Sequence, residues 1–377
     1  MWLYILLTVL VSLLGLLVKG NYIKSGKYDF GEGHCHAPLR MRACDDKSKQ
    51  ALVNKITCAF IFLLLMGVSA ARVAVGNDYW PYRFNFLLIA DDRTVSSEIG
   101  FNLIVKFMQW VFGLDNYIPI FALFSIITAF FFVRAVYDLS EWAWLSLFLL
   151  LANGFYFSSF TSVRYYLALS VALFALKYVI YDKPVKFTVA ILLAAVLFHK
   201  SVLIVLVLYY VAKIDFRKWM IPIIGVLCAS MLVFREFFRK VVFVFYPYYE
   251  NSYLDDYKIS YVNILKAAAV LILCLIYYKP AIKGNVKNKI LFNLNIIALI
   301  VFTCLWYIPE TSRIGYYFSA TNIFLIPAVL KRIENKAQRR FFTAVVTAAY
   351  AVYFILFLRS SYDVSIRLLP YMSWIFI

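Results

Sequence analysis

The chain of 377 residues is 64% hydrophobic and 19% aromatic but only 15% charged, with a mean hydropathy of +0.80. A soluble domain needs roughly 25% charged residues, so a cytosolic enzyme, a secreted disulfide scaffold and a nucleic-acid binder are excluded, and the sequence reads as an integral membrane protein. The net charge of +18 is then an orientation signal first, because Lys and Arg mark cytoplasmic loops.

In chain order, the apolar run 1–18 has no basic residue before it and no small-residue cleavage site after it, and is expected to remain as a span. The stretch behind it carries Lys19, Lys24, Lys27, Arg40, Arg42, Lys47, Lys49 and Lys55, which makes 19–55 a cytoplasmic loop and puts the N-terminus outside. Further spans are expected near 56–74, 117–135, 142–157, 164–181, 219–234, 263–278, 290–307, 314–330 and 341–358, several of them shorter than the ~20 residues of a perpendicular helix. Basic clusters beginning at Lys183, Lys213, Lys279 and Lys331 all favour the cytoplasm. That demand folds 187–212 into two short arms meeting at Phe198-His199-Lys200-Ser201, and lays 99–113 along the outer interface as an amphipathic helix. The outer-face loops are then 75–113 and 235–262. One integral membrane domain, 1–377, is expected, all-α and polytopic, with roughly twelve transmembrane or half-transmembrane helices and both termini outside.

This threading gathers Asp78, Glu98, Arg164, His199 and Arg313 on the outer face. Ionisable groups at membrane depth are costly and line cavities or pair with one another. Arg72, Arg164 and Arg313 suit a diphosphate, since guanidinium groups grip phosphate oxygens through paired donors. Glu98, Asp78 or His199 could deprotonate an attacking hydroxyl, and the residues alone leave that choice open. Tyr79, Trp80, Tyr82, Tyr165, Tyr166, Tyr246, Tyr248, Tyr249 and Tyr253 offer rings for sugar stacking. Each element also has a plainer reading. The aromatics serve as interfacial anchors, the arginines as snorkelling helix ends, His199 as a turn cap, Asp78 as part of the Gly76-Asn77 turn and Glu98 as an acid at a helix N-terminus. Asp91-Asp92 reads as a solvated turn or as the acidic site of a different glycosyltransferase class. His34-Cys35-His36 with Cys44 has zinc-ligand types but the spacing of no common zinc module. Cys58, Cys228, Cys274 and Cys304 lie in apolar runs as small core or lipid-facing residues, and no Walker element or nucleophile elbow is present.

The run Arg72-Val-Ala-Val-Gly76-Asn77-Asp78-Tyr79-Trp80-Pro81-Tyr82 resembles the signature of the EpsG/Wzy-like bacterial polysaccharide polymerases, which carry G-x-D-Y-x-x-Y after the second span. Glu98-Ile99-Gly100-Phe101 is similar to their E-x-G-F element, Arg164 ahead of Leu167-Ala168 to an R-Q-x-L-A helix start, and Phe198-His199-Lys200-Ser201 to an F-H-x-S turn. Arg313 with Tyr317-Phe318, and Leu369-Pro370-Tyr371, complete an ordered set over nearly the whole chain. Tyr165 stands where the family pattern has Gln.

The resemblance implies a GT-C-like fold in the bacterial plasma (inner) membrane. It also implies assembly of O-antigen, capsule or exopolysaccharide from undecaprenyl-diphosphate-linked oligosaccharide repeat units on the outer face, without metal or other cofactor. A chain-length regulator and a flippase of the same pathway are the implied partners besides the bilayer. In that scheme Arg164 and Arg313, with Arg72 in support, hold diphosphate, Tyr79, Tyr82 and Tyr317 line the substrate site, and Glu98, Asp78 or His199 handles the acceptor hydroxyl. Two rival readings are a polyprenyl-linked glycosyltransferase or O-antigen ligase, and a polysaccharide flippase.

Overall fold

The computed structural model describes residues 1–19, 38–91, 93, 95, 99–215, 219–245, 247, 250, 258–363 and 366–375, with backbone alone at 38–47 and 245. Among these residues every element is helical, and the β-type pairing is confined to an isolated antiparallel bridge between Arg72 and Ser373.

The chain opens with α1 (Trp2–Gly15) and α2 (Pro38–Ala70), so the second half of the expected 19–55 loop is already helix. α3 (Tyr79–Ala90) and α4 (Ile99–Phe112) follow. α3 lies in the stretch expected as an outer-face loop, 75–113. Its buried residues Tyr79, Tyr82, Phe86 and Ile89 carry the spacing of one helix face, and Pro81 sits in the first turn, where its missing N–H costs little. α4 buries Gly100, Phe101, Val105 and Met108 while Leu103, Phe107 and Trp110 stay exposed, so both of its faces are largely apolar.

α5 (Ile118–Leu139) comes next, and the span expected at 142–157 divides into α6 (Ala143–Ala152) and α7 (Phe155–Ser158) at Gly154, whose φ of 79° suits glycine. α8 (Val163–Ile180) is followed by α9 (Pro184–Leu197), a 3-10 turn at Lys200–Leu203 and α10 (Ile204–Val211), the two short arms anticipated around residue 199. α11 (Met220–Val233) and α12 (Arg235–Phe245) meet at a 78° bend, so part of the expected 235–262 loop is helix. α13 (Tyr261–Ile276), α14 (Val286–Cys304), α15 (Thr311–Ser319), α16 (Asn322–Lys331) and α17 (Lys336–Ser360) complete the chain. The span expected at 314–330 is broken between α15 and α16, where the Thr321 hydroxyl turns back to the Phe318 carbonyl at 2.6 Å.

Among the described residues, five helical stretches are long and apolar enough to cross a bilayer: Ser48–Ala70 within α2, α5, α8, α14 and α17. The bent α11–α12 pair makes a sixth if it is one span, and six further apolar helices are shorter. α8 is the axis of the bundle. It packs on α5, α9 and α15, and 72% of its span is buried against 11% for α17. A helix apolar on all sides belongs in such a place.

The two ends of α8 differ in charge chemistry. Near its C-terminus Lys177 meets Asp138 at 2.7 Å, Lys213 meets Asp182 at 2.5 Å, and Lys289 pairs with Asp215. Glu141, 5% exposed, takes Lys287 at 2.8 Å and Arg332 at 2.6 Å. Burial alone would raise the Glu141 carboxyl, but the two cations outweigh it and hold it below its ordinary value. Arg164 lies at the opposite end, roughly 20 Å up the helix from Lys177. The basic clusters that the sequence sorted to one side are thus collected at one end of the bundle.

Removing the shared carboxylate should expose the cost of that collection. Glu141→Ala leaves Lys287 and Arg332 unneutralised in a dry site and should lower stability by about 3–5 kcal/mol, read as thermal unfolding in detergent. Adding Lys287→Met should recover part of the loss, because one buried cation is then gone.

Candidate active site

The site is assembled where α2 ends. From Ala71 to Asp78 the chain passes against the turn after α7, and only a glycine can make the approach. Gly76 has φ 96°, and a Cβ there would lie 2.0 Å from the Phe160 carbonyl oxygen. The C-terminal tail closes over the same segment. Val73 N–H donates to Met372 O at 2.9 Å, Gly76 N–H to Arg367 O at 2.8 Å, and Trp374 N–H to Ala71 O at 3.1 Å.

Arg72 lies within this crossing and is 2% exposed. Its guanidinium donates to the Ser69 carbonyl, to the Ser69 hydroxyl at 2.8 Å and to the Ser125 hydroxyl at 3.2 Å. It also lies 4.9 Å from the Phe160 ring and 5.4 Å from that of Phe121. Burial pulls it down to about 10, which leaves it charged at neutral pH. Its Nη1 bonds tie α2 to α5, and its contact with Phe160 ties both to the turn after α7.

Asp78 emerges from the crossing at the start of α3, where its side chain makes no capping bond. The carboxyl lies instead in the field of Arg313 and Arg164, with Glu310 opposing them. Burial is the largest influence and pushes Asp78 above the usual aspartate value despite the two arginines. Arg164, at the start of α8, donates from Nε to the Tyr82 hydroxyl at 3.0 Å and stacks 4.8 Å over Phe101. Arg313, in the first turn of α15, pairs through Nε with Glu310 at 2.8 Å and reaches the Ser162 hydroxyl at 3.5 Å. The Tyr165 hydroxyl donates to the Arg313 carbonyl at 2.5 Å, which fixes α15 against α8.

Glu310 is the residue that sequence reasoning passed over. It sits at φ 57°, a left-handed conformation unusual for glutamate, and such strain gathers at functional sites. Its signal in the sequence is the 308–313 break together with the i, i+3 spacing of Glu310 and Arg313.

His199 precedes the 3-10 turn. Its Nδ1 faces the backbone N–H of Ser201 at 3.3 Å and the Ser201 hydroxyl at 2.7 Å. That hydroxyl is 2.9 Å from the Tyr317 hydroxyl, and the His199 ring lies 5.8 Å from that of Tyr165. The histidine and Arg313 therefore flank one tyrosine.

The tyrosines expected to line the substrate site are enclosed by neighbours. Tyr79, 1% exposed, is stacked on Phe121 at 4.7 Å, and Tyr317 is fully buried. Tyr82, 8% exposed, stands behind Arg164. None of these three presents an open ring face, whereas Trp80, another of the expected stacking aromatics, is 41% exposed. Glu98, Asp92, His34, Cys35, His36, Tyr246, Tyr248, Tyr249 and Tyr253 lie outside the described residues. Among the described residues no three His, Cys, Asp or Glu side chains form a group that could hold a metal.

The assembled group can therefore offer two guanidinium groups to an anion, a carboxylate beside them to a hydroxyl, and an imidazole at their flank. The EpsG family profile matches residues 55–373, and the chain belongs to the EpsG family. No curated protein and no solved structure matches it.

The half-buried Asp78 carboxyl makes a pH prediction. A carboxyl whose folded value is raised holds its proton more tightly in the folded protein, so its contribution to stability is present below the unfolded value of about 3.9 and is lost as pH rises through the raised value. Asp78→Asn should accordingly unfold at a higher temperature than the wild type at pH 7, with the difference shrinking as pH falls toward about 4. A less stable Asp78→Asn protein at pH 7 would contradict this placement.

Proposed function

We propose that this EpsG-family chain is a membrane glycosyltransferase that polymerises undecaprenyl-diphosphate-linked oligosaccharide repeat units into O-antigen, capsule or exopolysaccharide. The observation that carries the reading is the convergence of Asp78, Arg164 and Arg313, from three distant parts of the sequence, at the end of the bundle opposite the lysine-rich pairs. With those pairs in the cytoplasm, the site faces the outer side of the bacterial plasma membrane. The proposal includes the threading of roughly twelve transmembrane or half-transmembrane segments, a GT-C-like arrangement, and a single domain working without metal.

The chemistry follows from the groups. An acceptor sugar hydroxyl gives its proton to a carboxylate, Asp78 or Glu98, as its oxygen bonds to the anomeric carbon of the donor. The bond from that carbon to the diphosphate oxygen breaks, and undecaprenyl diphosphate leaves with the electron pair. Arg164 and Arg313 neutralise the charge that develops on the departing diphosphate. Burial of Asp78 suits this role, because a carboxylate with a raised proton affinity is a better base near neutral pH. Glu310 holds Arg313 in place when no substrate is bound and yields it to the stronger phosphate charge.

Reconstitution with a purified undecaprenyl-diphosphate repeat unit tests the reading. The wild type should give a ladder of polymer, and Arg164→Ala or Asp78→Asn should reduce it by about 10²–10⁴ while the protein still inserts. Transfer to lipid A core instead would make it a ligase, and translocation without new glycosidic bonds a flippase. Wild-type ladders from both variants would overturn the assignment. In whole cells, a cysteine at position 199 should label from outside; labelling only after permeabilisation would overturn the sidedness.

A further inference from the structure

We infer that Lys266 is an anion subsite at which the diphosphate of a lipid-linked substrate arrives from the bilayer, through the seam between α13 and α17. The inference rests on the reading of Arg164 and Arg313 as a diphosphate site, and adds the route by which that diphosphate reaches them.

A lysine within an apolar helix is costly and calls for a counter-charge. At the other end of the bundle that need is met, Lys177 by Asp138 and Lys287 by Glu141. Lys266, half-buried in the second turn of α13, is held differently. Its Nζ donates to Asn153 Oδ1 at 3.3 Å and lies 4.1 Å from the centre of the Tyr353 ring. Both partners are neutral, and among the described residues no carboxylate acts on the ammonium. A snorkelling lysine would reach past the end of its own helix. Here Asn153 closes α6 and Tyr353 belongs to α17, so the ammonium is held sideways between helices.

α13 and α17 run antiparallel, and their side chains meet at two levels. One is Lys266 with Tyr353; the other is Tyr277 with Phe342, whose ring centres are 5.7 Å apart. The second level lies eleven residues away along each helix, about 16 Å toward the lysine-rich end, and there the seam is closed by rings. From Lys266 toward Arg313 the groups are polar instead. Asn263, one turn before Lys266, donates to the Tyr316 hydroxyl at 3.3 Å. Tyr166, Tyr316 and Tyr353 interact electrostatically with one another, and Arg313 acts on the first two. Three tyrosine hydroxyls therefore link Lys266 to Arg313, and a phenol O–H is a donor to a phosphate oxygen.

Charge and surroundings identify the occupant. Arg164 and Arg313 are matched in number by Asp78, which lies in their field, and by Glu310. With both acids ionised, those four groups carry no surplus for an incoming anion, and Lys266 supplies it. Val262, one turn before Lys266 on the same face, and Leu265 beside it are exposed, so this side of α13 faces lipid tails. An anion that arrives from there carries a tail of its own, as a lipid-linked diphosphate does.

Binding to the full-length protein in nanodiscs tests this, with undecaprenyl diphosphate as the probe and undecaprenol, the same tail without charge, as the control. Lys266→Gln and Lys266→Met should bind the diphosphate about 10–100-fold more weakly than wild type, the worth of one hydrogen bond to a charged group, while Lys266→Arg stays within about threefold. Undecaprenol should bind all four proteins alike. Wild-type affinity in the Gln and Met variants, whatever their melting temperatures, would make Lys266 a packing residue and overturn the inference, as would an equal loss of undecaprenol binding. Displacement of the probe by phosphatidylglycerol from wild type but not from Lys266→Gln would make the seam a phospholipid site, which also overturns it.

In the ladder assay Lys266→Gln should raise KM by the same factor and leave kcat within about threefold, the pattern of a group that acts on arrival and not on reaction. A fall in kcat with KM unchanged would overturn the entry role. If the wild type forms no ladder, the polymerase reading fails, and the binding measurements still decide what Lys266 holds.

Discussion

A guanidinium enclosed by protein at the end of α2 governs how the rest of this structure is arranged. Arg72 cannot be hydrated where it lies, so its donors must be met by neighbours, and those neighbours come from α2 itself, from Ser125 on α5 and from the aromatic ring of Phe160. Even so, its Nε is left without a hydrogen-bond partner, a cost tolerable only where the surrounding contacts are numerous. The Tyr4 hydroxyl bonds to the Leu368 carbonyl at 2.9 Å, and the Tyr371 hydroxyl to Val68 O at 2.8 Å. The two ends of the chain are thereby fastened over the same crossing. Asp78 follows six residues after Arg72, and its position is a consequence of this knot.

Charge is handled in opposite ways at the two ends of α8. At the lysine-rich end each buried charge is neutralised by a partner, as with Glu141 between Lys287 and Arg332. At the Arg164 end Arg313 pairs with Glu310, which sits on a left-handed backbone, and Asp78 lies in the field of both arginines while its burial works against ionisation.

Much of the site's outline was legible in the sequence. The Gly76-Asn77-Asp78-Tyr79 run, the arginine opening α8, the Phe198-His199-Lys200-Ser201 turn and the break before Arg313 are local patterns, and each falls where the chain bends or a helix begins. Inside and outside were harder. Arg72 looks like Arg164 in the sequence, since both are arginines at the end of an apolar run, yet one is enclosed by Phe121 and Phe160 and the other reaches Tyr82 beside Asp78. Likewise Tyr79 and Tyr317 belong to motif-like runs but are buried, because both lie on the inward face of their helices.

Sequence alone determined that the chain lives in a bilayer, that its apolar runs end near the observed helices, and that its motifs resemble one family. These are matters of composition and of short-range order, which hydrophobic transfer and the loop charges decide residue by residue. Only the tertiary structure decided that Arg72 is enclosed, that Glu310 pairs with Arg313, and that α3 is a helix. Those depend on which surfaces meet across long separations in the chain, and on donors and acceptors supplied by segments far from the residues they orient.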